Sequence, residues 1–354
     1  MSAELEIYGT LGPSCADAET LRQMFAAGIT GMRLNLSHAT LEESSEMIGA
    51  FHRAADAEGV RPSLLIDMQG PELRIGNVKK GTVVREGEEV LLAPKGLSAK
   101  ESDAIPVPEE IFECFEKGMI LLLDDGKIHL KVTGAADTDA GRILRAGVLT
   151  GGPVLSRKSI AVQGMTITGK TLTRQDLINL GKAAESGVTD VMQPFVRGAA
   201  DLMEVRAAMK ENGAGDCRLF AKIENRAGIE AVSEILPLTD MIVIARGDLG
   251  NAVPLWELPR VQKEISAKAL RAGVPFMVVT QMLASMEKSP VPTRAEASDI
   301  FNAVADGAGA VMITGESASG LYPVRASQYL AMTATEGLRW RKKQELSRHA
   351  ALEA

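Results

Sequence analysis

Eight short apolar runs recur along the chain, and each is followed by residues with the apolar spacing of a helix. The runs are Leu5–Tyr8, Met32–Leu36, Leu64–Ile66, Val188–Phe195, Leu219–Ile223, Met241–Ala245, Pro275–Val279 and Ala310–Ile313. A run such as Met241-Ile-Val-Ile-Ala245, apolar at every position, suits a parallel strand covered on both faces. Eight such alternations predict an α/β fold of the (β/α)8 TIM-barrel class. The intervening helices carry starts and stops in the sequence. Asp17-Ala-Glu19 precedes an apolar stripe that ends before Gly28, Thr173 precedes Asp176-Leu-Ile, and Thr293-Arg-Ala-Glu296 has capping-box spacing.

The alternation breaks once, between Gly76 and about Gly164, where short strands and turns take over: Gly81–Val84, Glu89–Leu92, Ile120–Leu123, Ile128–Val132 and Arg142–Val148. Asp124-Asp125-Gly126 between two alternating runs predicts a hairpin. The expected organisation is therefore a barrel of residues 1–75 and 165–340, a small all-β domain of residues 76–164 inserted after strand three, and a polar, alanine-rich C-terminal tail of residues 341–354 that forms an end helix or frays. Inserted at the catalytic end of a barrel, such a domain is expected to act as a lid that excludes water.

Composition narrows the function classes. With 354 residues and 45% apolar content the chain can bury a large core. A net charge of -7 without a long basic run argues against nucleic-acid or membrane-surface partners. Cys15, Cys114 and Cys217 are too few and too scattered for a disulfide framework or a zinc site. No signal segment or membrane-length apolar stretch is present, so a soluble cytoplasmic protein is expected.

In barrels of this class the working residues occupy the carboxyl ends of strands. After strand five, Lys222-Ile-Glu224-Asn225 places a lysine and a carboxylate two apart, hence on one face. After strand six, Ala245-Arg-Gly-Asp248 adds a second carboxylate. Glu224 and Asp248 suit Mg²⁺ or Mn²⁺, with Lys222 facing negative charge beside the metal; a structural Lys222–Glu224 ion pair is the plainer alternative. After strand two, Arg33, Asn35 and Ser37 share the inward face. Asp67-Met68-Gln69-Gly70-Pro71-Glu72-Leu-Arg74 follows strand three, and Asp67 with Asn35 and Ser37 would make a hard-oxygen pocket for a cation. A simple Asp67–Arg33 salt bridge would explain the same residues. Gly247 and Gly250 permit close approach of an anion to backbone N–H groups. Thr280 and Glu316 close strands seven and eight. His38, His52, His129 and His349 have no metal spacing.

Taken in order, Thr10-Leu-Gly-Pro-Ser14, Arg33-Leu-Asn-Leu-Ser-His38, Asp67-Met-Gln-Gly-Pro-Glu-Leu-Arg74, Leu123-Asp-Asp-Gly126, Lys222-Ile-Glu-Asn225, Ala245-Arg-Gly-Asp-Leu-Gly250, Thr280-Gln-Met-Leu283, Pro292-Thr-Arg-Ala-Glu-Ala-Ser298 and Gly315-Glu-Ser resemble pyruvate kinase across nearly the whole chain. The resemblance implies transfer of phosphate from phosphoenolpyruvate to ADP, giving pyruvate and ATP, with Mg²⁺ (or Mn²⁺) and K⁺ as cofactors. It implies that Lys222, Thr280 and Arg33 are catalytic, that Arg33, Gly247, Asp248 and Thr280 bind substrate, and that Glu224 and Asp248 hold Mg²⁺. Asn35, Ser37, Asp67 and the Met68 carbonyl match the potassium site, and Glu72 matches its potassium-using version. Arg74 and Lys158 match nucleotide-phosphate contacts.

The sequence departs from the family at four places. It stops soon after barrel helix eight, where the family usually continues into an effector-binding domain, so such control is expected to be absent; a homodimer through barrel helices is expected to survive. Gln69 replaces a lysine, Pro194 replaces a small hydroxyl residue, and Arg157–Gly164 has lost much of the family pattern. These departures leave two rivals open: a metal-dependent pyruvate-enolate enzyme, whether an aldolase or lyase or one with another phosphoryl acceptor, and a catalytically silent regulatory paralogue.

Overall fold

The computed structural model describes residues 5–37, 39–71, 73–97, 104–124, 126–138, 141–163 and 169–353. The chain forms two compact units: Met1–Pro71 with Gly169–Leu249 and Trp256–Ala354, and Glu72–Thr168 with Gly250–Leu255. The break therefore falls at Pro71 rather than at residue 75, and a six-residue segment after strand six belongs to the smaller unit. His38, Glu72, Asp125 and Gly164 lie outside the described residues.

The larger unit is a closed barrel of parallel strands: β1 (Glu6–Thr10), β2 (Gly31–Asn35), β3 (Ser63–Asp67), β4 (Asp190–Gln193), β5 (Arg218–Ile223), β6 (Met241–Ala245), β7 (Phe276–Val279) and β8 (Ala310–Met312). β8 pairs back onto β1, with Glu6 opposite Ala310. The predicted capping box of Thr293 with Glu296 forms, and at the predicted helix start Thr173 makes another with Asp176. Asp17 accepts the Thr20 amide at 2.9 Å.

Strand side chains alternate faces, so the inward positions of a strand form three successive layers. In β1 they are Glu6, Tyr8 and Thr10; in β3, Ser63, Leu65 and Asp67; in β5, Arg218, Phe220 and Lys222. The middle layer is apolar: Tyr8, Leu65, Met192 and Phe220 belong to one buried cluster with Val243, Met277 and Met312. Gly31 is required opposite it, because a Cβ there would lie 2.4 Å from the Tyr8 ring. The layer at the amino ends of the strands is ionic. Arg218 donates to Asp190 at 2.6 Å and to both oxygens of Glu6 at 2.8 and 2.9 Å, and Tyr8 Oη donates to Glu6 at 2.7 Å. The guanidinium also lies 5.0 Å from the centre of the Phe220 ring. This plug was not read from the sequence, because its members lie at the starts of three separate strands.

The smaller unit holds a six-stranded sheet in the order Ile160–Val162, Ile120–Leu123, Ile128–Thr138, Gly141–Thr150, Glu89–Pro94 and Ile105–Val107, with a two-stranded pair of Gly152–Pro153 and Val83–Val84. The predicted hairpin is present, with Leu123 opposite Ile128 and positive φ at Asp124 (50°) and Gly126 (79°). Sequence patterning passed over Ile105–Val107, Gly152–Pro153 and Ile160–Val162. None is long enough to show alternation, and proline at 106 and 153 suits only edge strands. Its core gathers Leu92, Val107, Phe112, Phe115, Leu130 and Leu144.

Of the two expectations for the last stretch, the end helix is the one found: it continues a single helix, Pro323–Glu353. Arg341 fastens it by donating to the carbonyls of Val304 and Ala308 at 3.3 and 3.1 Å. No helix among the described residues is long and apolar enough to cross a membrane.

Removing the guanidinium of the ionic plug leaves the fully buried Asp190 uncompensated. Arg218→Ala should lower unfolding free energy by about 3 kcal/mol in urea titration, whereas an unchanged midpoint would mean that the plug contributes nothing.

Candidate functional site

The opposite end of the barrel is also charged, and its charges are more deeply buried. Lys222 at the end of β5 and Asp67 at the end of β3 meet across the interior. Lys222 Nζ lies 3.2 Å from Asp67 Oδ2 and 2.9 Å from Glu224 Oε1. Arg33, from β2, reaches the same Asp67 oxygen through Nη2 at 2.6 Å and Nε at 2.8 Å. The side chains of Asp67 and Glu224 are 3% and 1% exposed. Both plain ion pairs considered from sequence therefore exist. They form one network of two cations and two carboxylates, and Asp248 contributes a further negative charge that Lys222 feels.

The titration behaviour follows from burial and neighbours. Burial pushes Asp67 up, but Lys222 and Arg33 outweigh it and hold the carboxyl below the usual range. Burial pushes Lys222 down, yet Asp67, Glu224 and Asp248 together keep its ammonium above the ordinary lysine value. Glu224 goes the other way: burial, added to repulsion from Asp67, raises it despite Lys222. A carboxylate held out of water and short of positive charge is a place for a further cation.

Backbone strain builds the rim. Phe195, Thr280 and Gln281 have φ of 53°, 78° and 56°, left-handed values that non-glycine residues adopt only when their surroundings impose them. At Phe195 the turn delivers its amide to Glu224 Oε2 at 2.8 Å. At Thr280 the turn exposes a carbonyl that Arg246 caps at 2.8 Å through Nη2, while Arg246 Nη1 pairs with Asp299 at 2.6 Å. Thr280 lies directly against Gly247, since a Cβ at 247 would be 3.1 Å from Thr280 Cγ2. Asp248 sits in the first turn of the short helix Arg246–Ala252. Glu316 is not a rim ligand in this arrangement: it accepts the amides of Leu283 and Thr314 at 2.9 and 2.7 Å, shaping the loops after β7 and β8.

The predicted metal ligands divide into two groups. Among the described residues no cluster of three His, Cys, Asp or Glu forms a ready-made metal site, so any divalent ion must take water or substrate oxygens as well. Glu224 Oε1 fits that requirement. It is buried, and its 2.9 Å approach to Lys222 lacks hydrogen-bond geometry. Glu224 and Asp248 supply the hard oxygens that Mg²⁺ or Mn²⁺ prefers. For the monovalent ion, Asn35 pairs in register with Asp67, so the two side chains leave the sheet on the same face, and the Asn35 oxygen accepts the Ser37 amide at 3.1 Å. The backbone around Met68 is fixed by its amide bond to the Met192 carbonyl at 3.0 Å.

Arg74 and Lys158 belong to the smaller unit, where the chain brings them together: Arg74 bridges to Ser159, and the Ile75 amide donates to the Lys158 carbonyl at 2.9 Å. Arg74 Nη1 donates to the Arg157 carbonyl at 2.8 Å, and Lys158 Nζ lies 2.8 Å from Asp124.

Sequence reasoning gave no site role to Asp176, Gln193, Arg246 or Asp299. Gln193 is fully buried, donates to the carbonyls of Thr171 and Pro194 at 3.0 and 3.2 Å, and has an unpartnered Oε1. A polar residue closing an otherwise apolar strand run was the available signal.

Two substitutions separate the two buried carboxylates. Asp67→Asn leaves Arg33 and Lys222 without their shared counter-ion and should cost about 3–5 kcal/mol. Its stabilisation is complete above the ordinary carboxylate pKa of about 4 and is lost as pH falls through the lower folded value. Glu224 has the opposite sign, since its raised folded pKa makes ionisation costly at neutral pH. Glu224→Gln should therefore stabilise the metal-free protein in a neutral-pH denaturant titration; destabilisation would contradict this account.

The chain matches the family description "Pyruvate kinase, barrel domain" over residues 3–327. It is 36% identical over 328 residues to a pyruvate kinase of Geobacillus stearothermophilus, covering 92% of this chain and 55% of that protein. A pyruvate kinase of Sporosarcina psychrophila is 34% identical over 324 residues, with 91% and 55% covered. One of Aeropyrum pernix is 36% identical over 331 residues, with 94% and 70% covered. The chain thus spans little more than half the length of the first two relatives.

Proposed function

Because the chain belongs to the pyruvate kinase family, we propose that its barrel moves the phosphoryl group of phosphoenolpyruvate to ADP, yielding pyruvate and ATP. The observation that carries this is the lysine ammonium held charged between Asp67 and Glu224 at the carboxyl end of the barrel. In the reaction the bond from phosphorus to the enol oxygen breaks and one to a terminal ADP oxygen forms; the enolate left behind takes a proton at its methylene carbon.

Mg²⁺ or Mn²⁺ at Glu224 and Asp248, with K⁺ at Asn35, Ser37, Asp67 and the Met68 carbonyl, would supply positive charge to the anionic reactants. The remaining work belongs to the side chains. Lys222 has three N–H donors and directs one at Asp67 at 3.2 Å, so donors remain for the charge that develops on the phosphoryl and enol oxygens. Arg33 is anchored by Asp67 through one edge of its planar fork, which presents the other edge to the transferring phosphate. The Gly247 and Asp248 amides, with Thr280 packed against Gly247, would receive the substrate carboxylate. Arg74 and Lys158 are the cations assigned to nucleotide phosphates.

Gln69 and Pro194 favour one second reading, in which the same enolate chemistry runs without ADP. Gln69 contributes no cation, and Pro194 presses on Gly70, whose Cβ would lie 2.5 Å from its ring. Exchange of pyruvate methyl hydrogens with solvent, without any ADP-dependent turnover, would select that reading.

In an assay coupled to pyruvate reduction, with Mg²⁺, K⁺, phosphoenolpyruvate and ADP, the protein should turn over, and Lys222→Met should lower kcat by at least about 100-fold. Equal rates for the two proteins, or none for either, would reject the transferase assignment. Mn²⁺ binding should weaken as pH falls, beginning above the ordinary carboxylate range of about 4, because the raised Glu224 pKa lets protons compete with the metal.

A further inference from the structure

One buried carboxylate at this end of the barrel has no part in the chemistry above. Asp176 is fully buried and is the third residue of the helix Arg174–Ala183, where it completes a capping box. Its Oδ2 accepts the Thr173 amide and the Thr173 hydroxyl, both at 2.8 Å. Those bonds would suffice to start a helix. Yet Oδ1 also accepts the Gln69 amide at 2.8 Å, and Oδ2 the Gly70 amide at 3.1 Å. Two successive amides of the loop after β3 are thereby fixed by a carboxylate about a hundred residues away in sequence.

The consequence follows from peptide geometry. In a trans peptide the N–H and the preceding C=O point in opposite directions within one plane. With the Gln69 N–H aimed at Asp176, the Met68 carbonyl must face away from it. The neighbouring positions leave little freedom: the Met68 amide is tied to the Met192 carbonyl at 3.0 Å, and Gly70 has φ of 56° with Pro194 filling the space where a Cβ would go. We propose that Asp176 is a positioning residue for the monovalent cation, aiming the Met68 carbonyl toward the oxygens of Asp67, Asn35 and Ser37. This rests on the potassium site of the preceding reading. An asparagine at 176 would keep the size but turn an N–H₂ group toward one of the amides, and the Met68–Gln69 peptide would lose its fixed direction.

The test compares Asp176→Asn with Thr173→Ala, which removes the capping hydroxyl that donates to Asp176 Oδ2 and lies 3.5 Å from Gln69 Oε1 but keeps the carboxylate that accepts the Gln69 and Gly70 amides. The probe is KCl against tetramethylammonium chloride at equal ionic strength, read first as a rise in unfolding temperature and then as turnover. Wild type and Thr173→Ala should share one half-saturating K⁺ concentration. Asp176→Asn should need about tenfold more K⁺, while kcat at saturating K⁺ stays within about twofold. Should the asparagine variant fail to fold, Asp176→Glu, which keeps the charge but displaces both amides, should show the same shift. An unshifted K⁺ midpoint in the Asp176 variant, or an equal shift in Thr173→Ala, overturns the proposal, as does a wild type with no K⁺-specific stabilisation. Absent turnover with the K⁺ pattern intact would remove the transferase reading alone and leave the role of Asp176 standing.

Discussion

An ammonium group sequestered between two carboxylates, 2.9 Å from Glu224 and 3.2 Å from Asp67, is the interaction on which the rest of the site depends. Desolvation alone would drive Lys222 toward neutrality and Asp67 toward protonation; Asp67 is kept ionised by Lys222 and Arg33, and Lys222 by Asp67, Glu224 and Asp248 against repulsion from Arg33. Truncating Lys222 or Asp67 leaves a buried charge without its partner, which costs far more than a surface pair is worth. The carboxylate that this balance leaves short of positive charge is Glu224, and it stands where a divalent ion could also draw on Asp248.

The barrel supports this cluster by dividing its interior into layers. Inward positions two residues apart run from the ionic plug around Arg218, through the apolar layer of Tyr8, Leu65, Met192 and Phe220, to the charged layer at the other end. The apolar layer separates two sets of buried charges, so that each is satisfied within its own layer. Rim geometry is then set by residues that touch none of the reacting groups. Arg246 with Asp299, Glu316 and Asp176 each tie loop backbone in place, and Arg246 holds the strained turn at Thr280.

Much of this was legible in the sequence because a strand has an exact period of two. That period put Lys222 and Glu224 on one face and Arg33 with Asn35 on another, and all eight barrel strands fall within a few residues of the apolar runs. What the sequence hid was of two kinds. The strands Ile105–Val107 and Gly152–Pro153 are too short to show a period. Asp176, Asp190 and Arg218 act through partners distant in sequence, and nothing local separates a helix-capping aspartate from one that also holds a remote loop. Polarity on most faces left residues 341–354 between an end helix and a fraying tail; the stretch continues the helix Pro323–Glu353, and Arg341 bonds it to the barrel.

The central claim, that Lys222, Glu224 and Asp248 converge on one metal and one three-carbon anion, is tested most directly by a crystal structure of the protein grown with Mg²⁺ and oxalate, a mimic of the enolate. The account predicts a magnesium ion ligated by Glu224 and Asp248 and chelated by oxalate, with Lys222 Nζ within hydrogen-bonding distance of an oxalate oxygen. Oxalate bound elsewhere, or Glu224 still closed on Lys222 with no ion between it and Asp248, would contradict it.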